Sequence, residues 1–137
     1  ELEITERALQ GGEGHITELN ALKELGVTVA IDDFGTGHSC LASLKSLPVD
    51  RLKIDQTFIR DAPFDEQDAA IIRAIIALGH SLNLQVIAEG VETQAQRDFL
   101  LRENCDEIQG YYYARPMPWA DLVQFLNKRG EAACLQQ

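Results

Sequence analysis

The residues best equipped for chemistry recur at intervals along the chain, each close to the end of a short β-branched run. They are Glu3 and Glu6, then Asp32 and Asp33, Lys53 and Asp55, Glu89 and Glu92, and finally Gln109. If those runs are neighbouring parallel strands, their C-terminal ends share one edge and these side chains converge on one mouth. A set made mostly of carboxylates with one lysine suits a hard cation such as Mg²⁺ or Mn²⁺, which prefers oxygen donors. Two such ions about 3.5–4 Å apart could ionise a water and neutralise a phosphoryl oxygen, the logic of metal-assisted phosphodiester hydrolysis. Lys53 would add a cationic donor, and Gln109, both donor and acceptor, would orient a ligand or a water.

Some of these groups have plainer uses. Asp55, ahead of Gln56-Thr57-Phe58, reads better as an N-cap or turn residue than as a ligand. Glu92 serves equally well at the start of the following helix. Asp32 and Asp33 are different, because two adjacent carboxylates before Phe34-Gly35-Thr36-Gly37 are costly to place together without a cation.

The elements that must position these groups alternate between short strands and longer amphipathic segments. Strands are expected at 2–5, 27–31, 51–54, 85–88 and 107–111, and helices at 16–25, around 41–47, at 68–82, at 94–103 and from about 119 to 128. The helix over 68–82 is the clearest, with Ile72, Ile75, Ile76, Gly79 and Leu82 on one face. Thr93 and Gln96 read as a capping box. Tyr111, Tyr112 and Tyr113 alternate in the last strand and are expected to pack there. Strands alternating with helices predict an α/β fold on a parallel sheet, either doubly wound or barrel-like, and spacing alone does not choose between them.

With 137 residues, 45% of them apolar, the chain makes one domain at most and can bury a core. Its net charge of −10, from 22 acidic and 12 basic side chains, lacks the basic field that holds nucleic-acid polymers or anionic membranes. The three cysteines are far apart with no Cys-x-x-Cys, which suggests neither a disulfide framework nor a zinc site. No apolar run approaches the roughly 18–20 residues of a membrane span, and the N-terminus has no signal-peptide pattern. The chain starts without Met and directly in a strand-like alternation, which suggests a fragment.

Taken together, Glu3-Ile4-Thr5-Glu6, Asp32-Asp33-Phe34-Gly35-Thr36-Gly37, Lys53-Ile54-Asp55, Ala88-Glu89-Gly90-Val91-Glu92, Gln109-Gly110-Tyr111 and Arg115-Pro116-Met117-Pro118 closely resemble the EAL family of cyclic di-GMP phosphodiesterases. The resemblance runs through nearly the whole chain up to the final helix. It implies a TIM-like (β/α) barrel of the EAL type, present here as roughly its last five β/α units. On this reading residues 1–130 belong to the domain and 131–137 form a flexible tail. It implies hydrolysis of cyclic di-GMP to linear pGpG with two Mg²⁺ or Mn²⁺ ions.

Position by position, Glu3 and Asp32 resemble metal ligands and Asp33 a ligand of the second ion. Lys53 resembles the lysine that contacts the attacking water, and Glu89 the glutamate proposed as general base or water-mediated metal partner. Gln109 matches the glutamine near the water, Glu92 a supporting carboxylate, and Glu6 the anchor of the Asp-Phe-Gly-Thr-Gly loop. His38-Ser39-Cys40 stands where the family usually has Tyr-Ser-Ser. The Glu-Ala-Leu motif that names the family, and an asparagine ligand, are not among these residues and are expected upstream of Glu1. The chain alone is therefore expected to be impaired or inactive, with a non-catalytic module acting by nucleotide binding or dimerisation as the alternative. A homodimer, edge-paired or swapped, is also expected. So is a bacterial cytoplasmic location, in a parent that upstream segments could tether to a membrane.

Overall fold

A computed structural model of the chain describes residues 1–5, 13–36 and 44–134. Its strands are β1 (Leu2–Thr5), β2 (Val29–Phe34), β3 (Arg51–Ile54), β4 (Gln85–Ala88) and β5 (Glu107–Ile108). Its helices are α1 (Glu13–Glu24), α2 (Gln56–Asp61), α3 (Glu66–Ser81), α4 (Gln94–Arg102) and α5 (Trp119–Cys134). All strand pairs are parallel, and the sheet order is β1-β2-β3-β4-β5. A doubly wound sheet reverses its order at a switch point, whereas a barrel adds each strand beside the last. The sequential order is therefore that of a barrel wall, which spacing alone had left open.

The register puts Ile31, Leu52 and Val86 in one row and Phe34, Ile54 and Ala88 in the next. These residues form the core with Leu19 of α1, Ile72, Ile75 and Ile76 of α3, and Phe99 and Leu100 of α4. The opposite face carries Glu3, Asp32, Arg51, Lys53 and Glu107, with Ala30 and Ile87 buried among them, so the alternation of each strand separates a wholly apolar face from one that holds the charges.

Several boundaries differ from expectation for physical reasons. The second strand begins at Val29 rather than at 27, because Gly26 takes φ +80 and Val27 N still donates to Leu22 O (3.2 Å) at the end of α1. It runs on to Phe34, so Asp32 and Asp33 lie within it. Helix α2 was not expected; Asp55 caps it by accepting from Thr57 N at 2.8 Å, the plainer use inferred for that residue. The last strand stops at Ile108, and Tyr111–Tyr113 form a turn in which Tyr113 N donates to Gly110 O (3.1 Å). The strand-like tyrosine run is thus corrected to a turn. Helix α5 extends beyond 128 to Cys134. Of the short helix expected around 41–47, residues 41–43 lie outside the described residues; within 44–47 Leu47 N donates to Leu44 O (3.4 Å), a turn, and Leu44 is buried in the core. The capping box forms as read: Thr93 accepts from Gln96 N, and Gln96 Oε1 accepts from Thr93 N at 2.9 Å. Among the described residues no helix is long and apolar enough to cross a membrane.

Gly79 shows how tightly α3 lies on the sheet. A Cβ there would stand 2.4 Å from Val86 Cγ2. Gly79→Ala should therefore lower stability by about 1–3 kcal/mol despite alanine's better helix propensity, read as a lower urea midpoint. Pairing it with Val86→Ala should cost less than the sum of the two single changes. A Gly79→Ala chain as stable as the parent would contradict this packing.

Candidate active site

Lys53 is the middle residue of the charged face and is 4% exposed. An ammonium buried that far from water needs partners, and it has carboxylates from three neighbouring strands. Its Nζ lies 2.6 Å from Glu3 Oε1, 2.8 Å from Glu89 Oε1 and 3.3 Å from Asp32 Oδ1. Burial alone would favour the neutral amine. The hydrogen bonds to Glu3 and Glu89, with the charges of Glu89 and Asp32, more than offset it and hold the lysine above its ordinary value. Lys53 is a fixed cation at any physiological pH, suited to stabilise negative charge and unsuited to accept a proton.

Beside it, β2 breaks register. Ile31 pairs with Leu52 but Phe34 pairs with Ile54, so β2 spends one residue more than β3 over this stretch. That is a β-bulge, and Asp33, at φ +54, occupies the left-handed conformation that aspartate tolerates better than most residues. The extra residue has two effects. It returns Phe34 to the core, where strict alternation would have placed it on the charged face. It also separates the two carboxylates: Asp32 stays with Lys53, while Asp33 forms a side-chain hydrogen bond with Asp55. That hydrogen bond, burial and repulsion from Asp32 hold the Asp33 carboxyl above its usual value. Asp55 is held below its own: burial opposes this, and the hydrogen bonds from Thr57 outweigh it. The turn is closed by Thr36 Oγ1, which donates to Asp33 O at 2.9 Å.

The C-terminal ends of β4 and β5 complete the site. Gln109 N donates to Ala88 O (2.8 Å), Val91 N to Gln109 O (3.1 Å) and Tyr112 N to Val91 O (2.9 Å), stitching the two segments together. Gly110 permits this crossing, since a Cβ there would lie 2.1 Å from Val91 O. Gln96, 6% exposed, accepts from Glu92 N (2.8 Å) and donates to Arg60 O (3.1 Å), tying the loop to α2. Between these segments opens a cavity of about 280 Å³ lined by Asp33, Asp55, Glu89, Glu92, Gln109 and Tyr111, among others.

The structure thus brings Glu3, Asp32, Lys53 and Glu89 into one cluster and Asp33, Glu89, Glu92 and Gln109 around one cavity, with Glu89 common to both. Glu6 and His38-Ser39-Cys40 lie outside the described residues. Gln96 went unnoticed as a support for the site, although its place in the capping box was the signal.

The donors are of the type a hard divalent cation prefers. Their arrangement is less ready. Among the described residues no three His, Cys, Asp or Glu side chains are grouped so as to hold a metal ion. Lys53 draws Glu3, Asp32 and Glu89 onto itself, and Asp33 turns toward Asp55.

A sequentially ordered parallel sheet with its polar groups gathered at the strand ends defines a barrel-type α/β domain. The chain belongs to the EAL domain family, which matches residues 1–116. It is 50% identical over 128 residues to the cyclic di-GMP phosphodiesterase NbdA of Pseudomonas aeruginosa, covering 93% of this chain and 16% of that protein. The chain thus spans about a sixth of that relative's length. Among solved structures it is similar to the P. aeruginosa MucR phosphodiesterase in complex with c-di-GMP, with a TM-score of 0.84 and 49% identity over 88% of this chain and 49% of that one. It is also similar to Klebsiella pneumoniae BlrP1 in a manganese and cyclic di-GMP complex, with a TM-score of 0.76 and 32% identity over 83% of this chain and 29% of that one.

Because the folded-state value of Lys53 is raised, the stability its charge contributes is fully present below the ordinary lysine value of 10.5 and is lost only as pH rises beyond it. Lys53→Met should destabilise the fold by about 1–3 kcal/mol, less than a fully buried pair would lose because its carboxylate partners are partly exposed. In urea titrations the gap between parent and variant should stay constant from pH 6 to about 9. A gap that closes between pH 7 and 9 would show a neutral lysine.

Proposed function

We propose that this chain carries part of the catalytic machinery for opening cyclic di-GMP to linear pGpG. The observation that carries the reading is the strand-end cluster itself: a permanently charged lysine among carboxylates beside a polar cavity, in a chain of the EAL family. Each site role below is part of this proposal.

Glu3, Asp32 and Asp33 would hold Mg²⁺ or Mn²⁺, which supplies Lewis acidity toward a phosphodiester and its attacking water. The remaining steps fall to side chains. Lys53, unable to serve as a base, holds its proton and stabilises negative charge as it develops on the water or the phosphate. Glu89 bridges cluster and cavity, so it is placed to take the proton that the water loses. Gln109, at the cavity wall, orients the water or a phosphate oxygen, and Glu92 supports the same wall.

The commitment of three carboxylates to Lys53 favours one further reading, a module that binds nucleotide or dimerises without turning it over. The two readings separate experimentally. Incubated with cyclic di-GMP and Mn²⁺, the 137-residue chain should give slow release of pGpG at most, since the Glu-Ala-Leu motif is not among its residues. Asp32→Asn should cut that release by about 100-fold or more and weaken Mn²⁺-dependent binding of cyclic di-GMP. Rapid hydrolysis that survives Asp32→Asn would overturn the ligand assignment. Nucleotide binding indifferent to both Mn²⁺ and Asp32→Asn would establish the non-catalytic reading.

A further inference from the structure

We infer that Gln96 is a positioning residue: its buried amide clamps the loop from Glu89 to Thr93 onto α2 and so holds Glu92 at the wall of the carboxylate cavity. The clamp stands on geometry, and only its catalytic consequence rests on the phosphodiesterase reading.

Glutamine is seldom this far from water, and when it is, its amide must find partners. A capping box asks one bond of this side chain, the one accepted from Thr93 N. Gln96 makes two more. Its Oε1 also accepts from Glu92 N at 2.8 Å, and its Nε2 donates to Arg60 O at 3.1 Å, in the last turn of α2, where a helix leaves its carbonyls without helical partners. Donors at one end of the amide and a carbonyl at the other fix its orientation, so acceptor and donor are both in use.

The loop depends on this clamp because little else holds it at Glu92. Val91 is buried in the core, with its backbone bonded to Gln109 and Tyr112. Gly90, at φ +69, lies against α2, since a Cβ there would stand 2.5 Å from Gln56 Cβ. Beyond those two points there is open space: Gln56, Gly90 and Glu92 line both the carboxylate cavity and a second one, which Thr57, Arg60 and Gln96 complete. A segment between two cavities lacks the close contacts that would resist its movement, and hydrogen bonds must supply the resistance. Their reach is short. Glu92 N is itself a tethered atom, and only Gly90 and Val91 separate it from Glu89. Helix α2 in turn is capped by Asp55, the partner of Asp33, so one amide ties the wall bearing Glu92 to the helix that begins at the opposite carboxylates.

Two variants separate a clamp from a cap. Gln96→Met fills similar space and loses all three bonds, whereas Gln96→Glu keeps the acceptor and loses only the donor to Arg60 O. For a cap alone, glutamate serves as well as glutamine. Hydrogen exchange of the ligand-free 137-residue chain, followed by NMR, should show the Val91 and Tyr112 amides exchanging about tenfold or more faster in both variants, relative to the amides of β3. Gly79→Ala, which loosens α3 instead, should leave that ratio unchanged. Gln96→Glu is the milder change and decides the matter should Gln96→Met fail to fold: a ratio equal to the parent's makes Gln96 a cap and overturns the inference. With cyclic di-GMP and Mn²⁺, kcat for pGpG release should fall about tenfold in Gln96→Glu with KM little changed. Added to Glu92→Ala, the same substitution should cost no more, because one residue acts through the other. An unchanged kcat, or losses that multiply, overturns the inference. If the parent chain releases no pGpG, the phosphodiesterase reading falls for this chain and the exchange ratio alone decides the clamp.

Discussion

The molecule is organised around one buried ammonium. A lone charge at the position of Lys53 would cost several kcal/mol, and only close opposite charges offset that. At an effective dielectric of about 20, a pair near 3 Å is worth about 5 kcal/mol before screening. Glu89 and Asp32, with side chains 22% and 24% exposed, keep more of that than Glu3, which is 49% exposed and more fully screened. The lysine therefore fixes the relative heights of β1, β2, β3 and the end of β4. A strand slipped by one residue would take its carboxylate to the other face and leave the ammonium unpaired.

The same constraint explains the bulge. Two carboxylates in succession cannot both face Lys53 in a regular strand, because neighbours point to opposite faces. Regular pairing would instead put Asp33 into the helix-facing core and Phe34 onto the charged face. The extra residue removes both conflicts, at the cost of one strained backbone position at Asp33. The strained position gives the two carboxylates different partners, Lys53 for Asp32 and Asp55 for Asp33.

How much of this could be seen in the sequence depended on how local each signal was. The period of α3, the capping box of Thr93 and Gln96 and the parallel α/β pattern depend on residues close together in the chain, and all were readable. The convergence of Glu3, Asp32, Lys53 and Glu89 followed once the strands were assumed parallel. The bulge was missed although its mark was present, since Phe34 falls one residue out of phase with Val29 and Ile31. The tyrosine run misled because aromatic residues have strand-like composition wherever they occur, and the contact that decides their conformation, Gly110 against Val91, joins segments far apart in sequence. Helix α2 is too short to show a period, and only Asp55 announced it.

Below Lys53 the charged face repeats its device. Arg51 lies 3.1 Å from Glu1 and 3.0 Å from Glu107, so an arginine on β3 reaches past β4 to a carboxylate on β5. Adjacent strands lie about 4.8 Å apart, and a contact that skips one favours a sheet curled toward that side. Among the described residues Arg51 Nε is buried without a hydrogen-bond partner, a cost accepted for the two ion pairs. The curl of this barrel wall is thus set from within by paired charges in successive rows, with Ala30 and Ile87 buried beside them on the same face.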